Sequence, residues 1–92
     1  MGFRVKRGVN VPADIQGYIY YHGRIYARLP KGERERVREL CERIGGDNER
    51  ALFEFITTDH GAEQVCREHY IGSKETLYSL VRRYYAEFAA EL

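Results

Sequence analysis

The sequence predicts an all-α protein of about five helices behind a short irregular N-terminal arm. Three observations carry that expectation. Apolar residues recur at i, i+3, i+4 and i+7 over most of the chain, the spacing of one helix face. Stop and start residues punctuate that spacing at Pro12, Pro30, Gly45-Gly46, Asp47-Asn48, Thr57-Thr58-Asp59 and Gly72-Ser73. No stretch alternates long enough for a convincing strand, and no internal repeat is visible.

Residues 1–11, "MGFRVKRGVNV", alternate only loosely and form the arm; they carry Arg4, Lys6 and Arg7. Pro12 suits the first turn of a helix. Ile15, Tyr18, Ile19, His22, Ile25, Tyr26 and Leu29 then mark its buried face, and Pro30 ends it. His22 on that stripe reads as a core histidine. Gly17 and Gly23 weaken this helix by roughly 1 kcal/mol each relative to alanine, so they are expected to mark close packing. The tyrosines at 18, 20, 21 and 26 line the core or an interface, with Tyr20 on the outer face.

A second helix spans 32–44, with the narrow stripe Val37, Leu40, Cys41 and Ile44. Arg34, Arg36 and Arg38 alternate with Glu33, Glu35 and Glu39, the pattern of a solvated, charge-balanced face. Gly45-Gly46 supplies its stop, and Asp47 or Asn48 caps a third helix that buries Ala51, Leu52, Phe55 and Ile56. A short fourth helix from residue 60 to 69 buries Ala62, Val65 and Cys66. Ser73 caps the fifth, whose stripe is Leu77, Leu80, Val81, Tyr84, Phe88 and Leu92. Ninety-two residues make one domain, with 1–11 as arm, 12–46 as a helical N-terminal part and 47–92 as a second helical part.

Composition excludes several classes. No apolar run approaches the roughly 20 residues of a membrane span, and no signal peptide opens the chain, so a cytoplasmic protein with no membrane partner is expected. Cys41 and Cys66 both sit at apolar helical positions and read as reduced core residues. Net charge is only +1, but residues 1–46 carry ten Lys/Arg against five Asp/Glu and residues 47–92 carry five against nine. The acidic second half counts against strong non-specific phosphate binding by that half alone.

The segment 47–92 holds three helices with tight links, the layout of a helix-turn-helix unit. Within it "EQVCREHYIGSKETLYSLVRRYY", residues 63–85, resembles the helix-turn-helix of small bacterial and phage regulators, sigma region-4-like or homeodomain-like. The chain as a whole is similar to small uncharacterised proteins of phages and mobile elements of Gram-positive bacteria. The match covers residues 47–89, and "SKETLYSLVRRYY" is its closest part. Cys66 takes the small-residue position and Ile71 the apolar turn position. The step from Cys66 to Leu77 is one residue longer than in the family, so Gly72 reads as an insertion and Tyr70 holds the family's turn-glycine position.

The resemblance implies a DNA-binding regulator or accessory protein that reads DNA with helix 74–88. Its exposed contacts would be Ser73, Lys74, Glu75, Tyr78, Ser79, Arg82 and Arg83, residue types that reach base edges and phosphates. Arg4, Lys6 and Arg7 are candidate arm contacts in a minor groove. The alternative is an all-α interaction module that keeps the fold but binds a protein, or a second copy of itself, through a Tyr20/Tyr21 surface.

Catalytic and metal signals are weak. Cys41, His60, Cys66 and His69 can be imagined as a zinc set, but only Cys66-x-x-His69 has ligand-like spacing. No nucleophile elbow, paired catalytic carboxylates or phosphate-binding glycine loop stands out, so no enzyme, metal or cofactor is expected.

Overall fold

A computed structural model describes residues 3–6 and 8–92, and among these the regular structure is entirely helical. The helices are α1 (Ala13–Arg24), α2 (Lys31–Gly45), α3 (Glu49–Thr57), α4 (Ala62–Glu68) and α5 (Lys74–Ala90), with 3-10 turns at Tyr26–Arg28 and Gly46–Asn48. Four of them run from 9 to 17 residues; α4 has 7, two turns only. Of the about five helices expected from the sequence, the structure gives four; the short fourth one, expected over 60–69, is only the two-turn connector α4. No helix among the described residues is long and apolar enough to cross a membrane.

The core lies where α2, α3 and α5 meet, with α1 laid over α3 and α5 and α4 wedged against α3 and α5. Val37, Leu40, Ala51, Leu52, Val65, Leu77, Val81, Tyr84 and Phe88 form its centre. The stripe expected for α5 holds at Leu77, Val81, Tyr84 and Phe88. Leu80 is half-buried, Tyr85 joins the core instead, and Leu92 is exposed because α5 ends at Ala90.

α1 differs most from its expected orientation. Its buried residues are Gln16, Ile19, His22 and Gly23, while Tyr18 is 50% and Ile25 47% exposed. Gly23 explains the rotation. A Cβ there would stand 2.7 Å from the Ile56 carbonyl oxygen and 2.8 Å from Ile56 Cγ2, so only glycine lets α1 lie this close to α3. The helix also stops earlier than expected. Ile25 leaves helical geometry, and Leu29 is extended, as the residue before Pro30 should be.

Tyr20 is not the outer tyrosine. Phe3 stacks on its ring at 5.5 Å and the Arg24 guanidinium lies 4.6 Å from the ring centre. Arg36, expected in solvent, folds over Phe88 at 4.7 Å and pairs with Glu91 at 3.0 Å. At the start of α3 neither Asp47 nor Asn48 makes a side-chain cap, because residues 46–48 already form a 3-10 turn.

Candidate nucleic-acid interface

Ser73 opens α5 as expected: its Oγ accepts from the Glu75 amide at 3.1 Å. Helical spacing then puts Glu75, Ser79 and Arg82 on the side opposite Leu77, Val81 and Tyr84, with Tyr78 and Arg83 on its flanks; Lys74, three residues before Leu77 and seven before Val81, is exposed instead because it begins the helix. All are exposed except Arg82, which is half-buried. Lys74 reaches solvent with no ion-pair partner among the described residues. Arg82 does not: its Nη2 lies 2.7 Å from Glu75 Oε1, two turns back on the same helix. Arg83 sits 3.6 Å from Glu87, a weak contact. Tyr78 leans its ring edge-on towards Phe55 at 6.3 Å.

The acids of α5 are answered from the other half of the chain. Arg43 of α2 donates to Glu87 at 2.9 Å and to Glu91 at 3.4 Å, and Arg36 holds Glu91. Arg24 pairs with Asp59 at 3.2 Å. The linear split into basic and acidic halves is thus bridged at Asp59, Glu87 and Glu91. The C-terminal acids of α5 do not stand bare beside its polar face.

The arm is docked rather than free. Gln16, buried in α1, accepts the Lys6 amide at 2.8 Å and donates to the Val11 carbonyl at 3.0 Å. A fully buried glutamine is costly unless satisfied, and here the arm's backbone satisfies it. The Lys6 ammonium lies 5.2 Å from the Tyr85 ring centre and 5.9 Å from that of Phe55. Burial, with Arg24 nearby, pushes its pKa down. Lys6 is therefore half-buried against these rings rather than extended into solvent. Arg4 remains exposed. Arg7 lies outside the described residues. Gly8 turns the arm at φ 76° directly over Arg82, whose Cδ is 3.3 Å from where a Cβ would be. Arm and α5 face thus share one edge, bounded by a groove between Lys6, Tyr78, Val81 and Arg82.

The turn from α4 to α5 has its left-handed residue where the sequence reading put the turn-glycine position. The Ile71 amide donates to the Cys66 carbonyl at 2.8 Å and the His69 amide to that of Val65 at 3.0 Å. The first bond has the Schellman pattern, which needs a left-handed residue at the C′ position. That residue is Tyr70, at φ 57°, and not Gly72, where a Cβ would meet nothing. Tyr70 is 95% exposed, so a bulky side chain in glycine's conformation points straight into solvent.

The imagined zinc set does not form. Cys41 and Cys66 are free, buried thiols, and burial with Glu49 nearby pushes Cys41 up to about 12. Cys66 Sγ instead faces the Ser73 carbonyl at 3.9 Å. The two histidines separate from the cysteines and converge on Glu54: His60 Nδ1 at 2.7 Å and His69 Nε2 at 2.8 Å. No spacing rule reveals this cluster, because its members come from α3, a loop and the end of α4. A second unforeseen feature is an apolar groove along α1, formed by Tyr18, Tyr21, Ile25 and Leu29 with His22 and Glu33 at one side. Comparison of the chain with protein-family models, curated proteins and solved structures finds no match.

Proposed function

We propose that this chain is a small DNA-binding regulator or accessory protein, of the kind carried by phages and mobile elements, that reads DNA with the exposed face of α5. In this reading α3, α4 and α5 act as a helix-turn-helix unit, with α4 as the positioning helix and α5 as the recognition helix. The observation that carries it is the face itself. Ser79 and Arg82 project opposite Leu77 and Val81, Tyr78 flanks them, and Lys74 is exposed at the capped helix start. The cross-half ion pairs support the reading, because they neutralise Glu87 and Glu91, the acids at the C-terminal end of the same helix. Lys74 contacts phosphate or a guanine edge, and Arg82 does so after releasing Glu75.

The test is a binding titration against a pooled DNA library at two salt concentrations, comparing the wild type with Lys74→Ala and Arg82→Ala. Loss of one phosphate contact lowers the salt slope by about one unit, and loss of a base contact relaxes one position by roughly 1–3 kcal/mol. Lys74→Ala is the cleaner variant, since Arg82 also braces the arm at Gly8. No sequence preference in the wild type, together with unchanged binding by both variants, removes α5 from the interface.

One observation favours a second reading, a protein-interaction module. Tyr18, Tyr21 and Ile25 leave large apolar area in solvent on α1, where soluble helices normally turn polar residues outward. This surface replaces the Tyr20/Tyr21 surface expected from the sequence.

A further inference from the structure

The DNA reading makes no use of the cluster around Glu54. α3 brings Glu54 to its last turns. Thr58 closes that helix by donating its hydroxyl to the Glu54 carbonyl at 2.6 Å and accepting the His60 amide at 3.2 Å. That double bond folds the loop back, so that the His60 ring meets the Glu54 carboxylate. α4 then returns along α3 and delivers Glu68 from its last residue. One nitrogen of His60 and one oxygen each of Glu54 and Glu68 lie within 4.8 Å of one another. His69 donates to, or shares a proton with, the other Glu54 oxygen at 2.8 Å.

We propose that Glu54, His60 and Glu68 bind a divalent first-row transition-metal ion, with Zn2+ the best fit, and that His69 orients the Glu54 carboxylate behind them. The donor set is one imidazole and two carboxylates. Imidazole suits Zn2+, Ni2+ and Cu2+, whereas Mg2+ and Ca2+ prefer all-oxygen surroundings. Zinc accepts nitrogen and oxygen ligands at about 2.0–2.2 Å, so ligand atoms must approach to roughly 3.0–3.5 Å of each other. Glu54 and His60, 2.7 Å apart, stand closer than that and part slightly as the ion takes the place of the proton between them. Glu68 is exposed and closes the remaining gap by a change of rotamer. Three protein ligands leave a fourth position open to water or to a group from outside. The bond from His69 has the form of an outer-shell contact, which fixes the orientation of a ligating group. Because the ligands come from α3, the loop and α4, the bound ion staples α4 to α3, immediately before the Tyr70 turn.

The experiment uses chelator-treated full-length protein. Melting temperature and Co2+ absorption are followed during titration with Zn2+, Co2+ and Mg2+, for the wild type, His60→Ala, Glu68→Gln and His69→Gln. Zn2+ and Co2+ should raise the melting temperature of the wild type, and Mg2+ should not. The Co2+ spectrum should lack thiolate charge-transfer bands, which separates this site from the cysteines. His60→Ala should abolish the response. Glu68→Gln and His69→Gln should each weaken the apparent affinity by about tenfold or more. His60 and Glu68 are both surface residues, so these variants should fold whether or not metal binds. The proposal is overturned if Zn2+ gives no shift up to millimolar concentration, if all four proteins respond alike, or if the Co2+ spectrum reports thiolate ligation.

Discussion

Tyr70 carries the sharpest consequence of any single residue. A non-glycine residue in the left-handed region costs roughly 1–2 kcal/mol, and Tyr70 has none of its ring buried to offset that. Tyr70→Gly should therefore stabilise the protein by about 0.5–1 kcal/mol, the relief of strain being partly cancelled by the greater freedom of glycine in the unfolded chain. A urea titration of the two proteins measures it, and a destabilised variant would show that the turn is not left-handed at this residue. The sequence located this position as the turn-glycine place. It concealed the reason, because conformation at a turn is decided by the bonds of Ile71 and His69 around it.

At the scale of the element, α1 shows how one contact overrides a periodic pattern. Of seven residues spaced for a buried stripe, α1 holds only Ile15, Tyr18, Ile19 and His22, and Tyr18 faces solvent while Gln16 and Gly23 face the core. The approach of Gly23 to the Ile56 backbone sets the helix rotation, and the aromatic residues follow it. Gly23→Ala should destabilise by about 1–3 kcal/mol, because the clash is with backbone that cannot move cheaply, despite the gain of roughly 1 kcal/mol in helix propensity. Thermal melting decides the sign. A stabilised Gly23→Ala would mean that α1 sits further from α3. α5 is the opposite case. Its stripe of Leu77, Val81, Tyr84 and Phe88 and its Ser73 cap were all legible, because both depend on residues within one or two turns of each other.

At the scale of the whole molecule, pH reaches stability through Glu54. The hydrogen bond from His69 chiefly, joined by bonds from His60 and Glu68 and opposed by partial burial, lowers its carboxyl from 4.5 to about 2. A carboxylate whose folded pKa is depressed stabilises fully above its unfolded value and loses that contribution as pH falls through the folded value. The denaturation gap between wild type and Glu54→Gln, measured with chelator present, should thus be largest above 4.5 and close as pH falls to about 2. A gap constant across that range would mean that the histidines do not hold this carboxylate. The same cluster ties α3 to α4, so acid should loosen the segment leading into α5 first.

The sequence by itself determined the helical class, the stop at Gly45-Gly46, the Ser73 cap, the buried stripe of α2 and most of those of α3 and α5, where Phe55 and Leu80 are only partly buried. Each of these is a matter of local spacing or of a backbone preference within a few residues. Only the tertiary structure decided the rest. It set the rotation of α1 on Ile56, the docking of Lys6 through Gln16, the neutralisation of Glu87 and Glu91 by α2, and the meeting of His60 and His69 on Glu54. All of these bring together residues from different elements. Their cost or gain depends on distance and burial, which a linear pattern does not contain, so a polar residue such as Gln16 or Glu54 gains its partner only once the helices have packed.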